Sequence, residues 1–459
     1  MLKLKLGFVN VGYRSGEDAR AQDHTSMMPQ SNVMVTAPLK MEREAELRSL
    51  LASMNDVPGR VNPANSLVPF EQFDRLHFAR FVILQDQSLD DITAYGLPRV
   101  NYPLTLAFIA DIDGTADDFR DDLARRAGDG LQRIFSCCQG FTPGGDLGRW
   151  MKEHETPAIT MYKNWRGRTV RQIHEEDALR LALEAHLQDN AAFFAGKTPR
   201  DINAALKEFV DEEIHAGHLT LTDPPPTPLG WWLRNFLHAI GVPLLLLLLT
   251  PFLILYLPVF IYQLRSREKS DPEIAPPVDL RYERKLSRLE DYNVTNQFTI
   301  MGSIKPGLFR RWTMSFLLWV VDWTARHIYI RGHLARISTI HAARWVFINE
   351  KKRMVFASNY DGSLDSYMDD FINKVGFGLN VVFSNGIGYP VTNWLVLDGC
   401  KDEQKYKYVI RRHQLPTEVW YMAYPGLSVF DLKRNTLIRQ GIGQSGMSDE
   451  ELRQWVVLF

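Results

Sequence analysis

Histidine is the side chain that most readily ligates a metal or moves a proton near neutral pH, and 4 of the 12 in this chain occur at repeated places. His77 lies in Leu76-His-Phe-Ala-Arg-Phe81 and His341 in Ile340-His-Ala-Ala-Arg-Trp345, while His154 and His413 form a second pair. A histidine kept twice is either structural in both places or functional in one, and a hydrogen-bonded structural role is the commoner for any single residue. His341 and Arg344 are three apart, so on a regular strand they face opposite ways and only a bulge would bring them to one pocket. His341, Trp345 and Phe347 are related by even steps, which on a regular strand gives one apolar face suited to a flat cofactor. The matching face around His77, with Phe81 and Ile83, is also apolar, as plain core packing would make it.

Other chemical signals are weaker. Gly441-Ile-Gly-Gln-Ser-Gly446 has the spacing of a dinucleotide loop, yet only 13 residues follow it, too few for a second strand and its ribose-binding acid. The acidic run from Asp111 to Asp122 reads as a capped helix start rather than a cation loop, because its glycine is misplaced for an EF-hand. Asn293-Val-Thr295 is a glycosylation sequon by letter alone. Lys plus Arg total 53 against 54 for Asp plus Glu, which supplies no field for nucleic acid. The three cysteines, Cys137, Cys138 and Cys400, frame neither a disulfide scaffold nor paired metal ligands and point to a reducing, cytoplasmic setting. The first twelve residues contain no apolar region typical of a secretory signal.

The elements that must position these residues come in two copies. Beyond the histidine block at offset 264, Asp113-Gly-Thr115 pairs with Asp361-Gly-Ser363 at offset 248, and that offset carries Phe119, Gly128, Gly130, Leu131, Phe135 and Ser136 onto Tyr367, Gly376, Gly378, Leu379, Phe383 and Ser384. At offset 259, His154, Pro157, Tyr162 and Gly167 meet His413, Pro416, Tyr421 and Gly426. Each copy reads as strand, helix, two strands, then a helix starting after Asp-Gly with Thr115 or Ser363 as its cap. The glycine pair is expected to end that helix, and a last strand to follow at 131–137 or 379–384. The resulting βαββαβ order is the ferredoxin-like unit. The predicted fold is α+β: two such units in tandem, sheets packed face to face in a pseudo-dimeric barrel. The expected limits are 31–185 for the first unit, 186–295 for an insert, 296–445 for the second unit and 446–459 for a C-terminal helix.

The insert carries a membrane signal. No Asp, Glu, Lys or Arg occurs between Arg234 and Arg265, which exceeds the roughly 20 apolar residues needed to cross a bilayer. Trp231 and Trp232 precede it, and Arg265, Arg267 and Lys269 follow, as interfacial anchors do. A single crossing would place the two halves on opposite sides, where their sheets could not meet. Pro243, Pro251 and Pro258 interrupt the segment, so a bent, re-entrant or in-plane element at about 231–264 is expected. Trp312, Phe316, Trp319 and Trp323 recur at helical spacing and suit either the interface or the core.

Asp111-Ile-Asp113-Gly-Thr115 looks like the first motif of haloacid-dehalogenase-type phosphatases, which implies Asp111 as nucleophile and Asp113 as acid and base beside Mg²⁺. The second copy has Asn359-Tyr-Asp-Gly-Ser363, which explains the shared Asp-Gly as a strand-to-helix turn present twice. The duplicated plan as a whole resembles the haem-binding dimeric α+β barrel proteins, such as the dye-decolourising peroxidases and chlorite dismutases. Tyr367-Met-Asp-Asp-Phe371 and Val419-Trp-Tyr-Met-Ala-Tyr-Pro425 also look like a bacterial family of uncharacterised membrane-associated proteins. The barrel resemblance implies haem ligated by His341, or else by His327 or His333, with Trp345 and Phe347 against the ring. It further implies Asp113 moving the peroxide proton and Arg344 stabilising charge as the O–O bond breaks. The function this implies is a membrane-associated, haem-dependent peroxidase acting on a lipophilic substrate. The alternatives are a non-catalytic membrane-anchored scaffold or lipid-binding protein, and the phosphatase.

Overall fold

A computed structural model describes residues 29–164, 166–330 and 334–459. Eight strands carry the fold: β1 (Gln30–Pro38), β2 (Leu76–Leu84), β3 (Thr105–Asp113), β4 (Thr160–Lys163), β5 (Thr295–Ser303), β6 (Ile340–Ile348), β7 (Arg353–Asp361) and β8 (Thr417–Met422). They form two four-stranded antiparallel sheets, ordered β1-β3-β2-β8 and β4-β6-β7-β5. The β1–β3 register, Gln30 opposite Asp113, is repeated by Thr295 opposite Asp361 in β5–β7. Each sheet takes one edge strand from the other half of the chain. The segment before β4 first bonds to its own half, with Thr36 N donating to His154 O (2.9 Å) and Thr156 N to Met34 O (2.8 Å), and then crosses to β6. The segment before β8 does the same, Leu415 N donating to Thr299 O (2.8 Å) before the chain reaches β2.

Period-two alternation separates the two faces of every strand. Val33, Val35, Phe81, Phe108 and Ile112 face the helices of the first half, and Ala343, Trp345 and Phe356 face those of the second. The opposite faces meet each other, where Met34, Val82 and Ile109 pack with Met301, Val346 and Val355. Each such side chain contributes about 1.5–3 kcal/mol by leaving water. Asp111 and Asp113 are in phase with Ile109, so they point between the sheets.

The strands expected at 131–137 and 379–384 are helical. In the first half α1 (Glu44–Ala52) precedes α2 (Ala116–Arg126), capped by Thr115, and α3 (Gly128–Phe135); in the second, one helix runs from Leu364 to Phe383, capped by Ser363. The break between α2 and α3 falls at Ala127 (φ −125°), and the long helix leaves helical geometry at Val375 (φ −140°), the residue that offset 248 pairs with it. One glycine after each break serves packing rather than termination: a Cβ on Gly130 would collide with the Leu67 backbone, and one on Gly376 would meet Cys400 Sγ at 3.0 Å. The true last strands, β4 and β8, come later and lead into α4 (Val170–Asp189) and, in the second half, a helix over Val429–Gly443.

The insert keeps one of the expected forms open, an element lying in the plane of the interface, and its prolines do not end the helix. It forms a single α5 helix over Leu229–Ser270, 42 residues, with all three prolines inside it. Each proline removes a donor and crowds the carbonyl four residues before it, yet the helix continues through all three. This helix is long and apolar enough to cross a membrane. It nevertheless lies beside α6 (Leu308–His327), antiparallel to it: Trp323 Nε1 donates to Ala239 O (3.1 Å), His238 meets His327 (2.9 Å), and at the other end Phe260 packs on Phe309 with ring centroids 5.4 Å apart. Asp271 then pairs with Lys305 and Arg310. Leu247, Leu248, Phe252 and Leu255 face outward, as do Trp312 and Phe316 of α6, whose Met314 and Leu318 are buried against the second sheet.

Candidate functional site

His77 and His341 occupy equivalent strands, β2 and β6, and each sits at a bulge, where the register slips between Leu76 and Phe78 and between Ile340 and Ala342. The extra residue turns the rest of the strand over. Arg80 and Arg344 therefore point between the sheets along with the histidines. Trp345 and Phe347 lie on the other face, in the helix-covered core. The expectation that His341, Trp345 and Phe347 share a face is overturned by this bulge, and the pocket it opens joins His341 to the side occupied by Arg344.

Each histidine pairs with the aspartate of its own half. His77 Nε2 lies 2.9 Å from Asp113 Oδ1, and His341 Nε2 lies 2.7 Å from Asp361 Oδ1. The second oxygen of each aspartate accepts a helix N-terminal amide, Val170 N for Asp113 (2.9 Å) and Val429 N for Asp361 (2.7 Å). A carboxylate is well placed at a helix start, where unpaired N–H groups and the dipole favour negative charge. The first residue of each half's leading strand completes the pair, Gln30 donating to Asp113 (3.0 Å) and Thr295 to Asp361 (2.8 Å). Burial alone would push the Asp113 carboxyl up, but His77, Gln30 and the Val170 amide together hold it below the ordinary carboxylate range. The arginines cross between halves: Arg344 pairs with Asp111, and Arg80 with Asn359, its counterpart at offset 248.

Tyr424 joins the two histidines. Its hydroxyl is 3.1 Å from His77 Nδ1, and its ring centroid is 5.8 Å from that of His77 and 6.3 Å from that of His341. Burial, with the charges of Asp113, Asp111 and Asp361, raises its pKa far above the ordinary phenol value, so it stays protonated. A cavity of about 40 Å³ lies here, bordered by these three residues, Asp111, Lys163 and Asn164. Burial draws the Lys163 ammonium down to about 8.

Asp113, Arg344 and His341 are thus gathered at one centre. Lys163, Asn164 and Tyr424 are the members that motif reading missed. One signal for two of them was available in the repeat, because Lys163 and Asn164 fall on Met422 and Ala423 at offset 259. His327 lies at the α5–α6 contact, against His238. His333 lies outside the described residues.

These residues do not fit a haem. His341 Nε2 is engaged by Asp361 and Thr295, the aromatics assigned to the ring face elsewhere, and 40 Å³ is far below the roughly 300–1,000 Å³ of cofactor pockets. The phosphatase arrangement is also absent. Asp111 is committed to Arg344, and β3 runs antiparallel between β1 and β2 rather than in a parallel sheet.

The chain matches no family model, no curated protein and no solved structure. The functional reading rests on its own residues.

Proposed function

We propose that this chain is a membrane-seated binding module. It consists of two ferredoxin-like units closed into one barrel and held on the cytoplasmic side of a bilayer, with α5 and α6 lying in the interface. The exchange of β4 and β8 carries this reading. One uninterrupted helix connects the halves, and a helix that crossed once would separate strands that belong to the same sheet. An in-plane α5 keeps them together while its outward leucines meet lipid acyl chains. The ferredoxin-like description is supported by the matching order of strands and helices in the two halves and by the paired bulges at His77 and His341.

Single cysteines placed near Pro224 and Ser270 in the membrane-bound full chain test the topology. The native cysteines are buried and should give little background. Both sites are expected to react with an impermeant maleimide from the same side; labelling from opposite sides would refute the proposal. The haem-dependent peroxidase and the binding module differ in their visible spectrum. The module gives no Soret band after purification with haem supplied, and a stoichiometric band would restore the peroxidase.

A further inference from the structure

The barrel interior departs from its internal symmetry where it is most polar. Asp111, Lys163 and Asn164 border the cavity, whereas Asn359, Met422 and Ala423 stand at the corresponding positions of the other half. The repeated architecture does not itself call for these three groups, since the other half has Asn, Met and Ala in their places. Each is expensive where it stands. Asp111 Oδ1 and Asn164 Oδ1 are buried and have no partner among the described residues, and such orphaned acceptors cost about 1–3 kcal/mol apiece. The Asn164 oxygen is identified by its amide nitrogen, which donates to Ile340 O at 2.8 Å. Lys163 Nζ gives one of its three hydrogens to Ser31 O at 3.0 Å.

Two buried acceptors beside one ammonium describe a complementary group. We propose that the cavity binds the carboxamide end of a small neutral molecule, its N–H groups taken by Asp111 and Asn164 and its carbonyl oxygen by Lys163. The size agrees: about 40 Å³ admits a small group such as a carboxamide and is far below the roughly 300–1,000 Å³ of drug-sized ligand pockets. The rings of Phe78 and Tyr424, edge to face with centroids 5.5 Å apart, border the same space. A carboxylate would meet the unpaired oxygen of Asp111 with Asp113 close by, and an alkylammonium would meet Lys163. The site lies inside the barrel and does not depend on how α5 meets the membrane.

Formamide, N,N-dimethylformamide and formate are suitable probes, titrated into the full chain in detergent while the ¹⁵N signals of His77 and His341 are followed. Formamide is expected to shift them saturably. Dimethylformamide, which lacks N–H groups, should bind about tenfold more weakly or worse, and formate should have no saturable effect. Lys163→Met should abolish the formamide response while the near-ultraviolet circular dichroism stays native. Equal responses to formamide and dimethylformamide in the wild-type chain, or no saturable response to formamide, would overturn the proposal even if the variant fails to fold.

Discussion

Buried charge is concentrated between the two sheets, and its pH dependence is predictable in sign. Asp113 has its pKa depressed in the folded chain. Its stabilisation is therefore fully present above the unfolded value of about 3.9 and is lost as pH falls through the folded value. Asp113→Asn should flatten this acid limb and cost about 3 kcal/mol at neutral pH, because the single acceptor oxygen of an amide cannot serve both His77 and the Val170 amide. Lys163 gives the same sign in a higher pH window, because there folding disfavours the charged form. Its pKa falls from 10.5 to about 8 on folding, so the unfolded chain binds the extra proton between those values and stability rises with pH across that window. At about 1.4 kcal/mol per pH unit the rise is about 3 kcal/mol. Urea titrations at pH 7.5 and 10.5, in wild type and Lys163→Met, measure it, and the variant should lose the climb that Lys163 causes.

At the scale of elements, the strands, the Asp-Gly turns and the helix caps were legible because each leaves a local mark: an apolar run, a glycine at φ 85° (Gly114 and Gly362), a Thr or Ser three residues before the amide it accepts. The bulges were not. An extra residue in a strand is set by its neighbours' pairing, and nothing in Leu76-His77-Phe78 states which residue will be left over. That one-residue slip reassigned Trp345 and Phe347 to the far face. The helical course of 131–135 was hidden for a similar reason, since Gly130 reads as a terminator unless the approach of Leu67 is known. The continuity of the proline-bearing helix was not legible, because it depends on what holds its ends. Glu268 is one of those holds: its carboxylate accepts from Trp394 N (3.0 Å), Leu395 N (2.7 Å) and Thr392 Oγ1 (3.1 Å), fixing a turn in which Trp394 and Leu395 adopt φ of 56° and 66°. Glu268→Ala should orphan both amides, cost about 2–3 kcal/mol, and raise amide exchange across 392–398 well before the two sheets open.

For the whole molecule, the exchanged strands make the two halves one folding unit. Without β8, β2 would present an open edge in the first sheet; without β4, β6 would do so in the second. Exposed edges of this kind recruit other strands and aggregate. The faces that meet between the sheets are apolar around Val82 and Val346 and ionic at Arg344 and Asp111. A lone half would therefore expose both an unpaired edge and a buried charge stripped of its partner. Residues 29–228 and 271–459, expressed apart, should each be insoluble or molten, lacking sharp near-ultraviolet circular dichroism. Refolded together they should give a one-to-one complex with native-like spectra, because β4 and β8 enter their sheets from segments that the cut leaves intact. Removing β8 from the second piece should abolish assembly, since the first sheet then has no fourth strand and the bridge from β5 is lost. Two halves that fold independently to stable monomers would show that the strand exchange is dispensable, and with it the requirement that both halves share one side of the membrane.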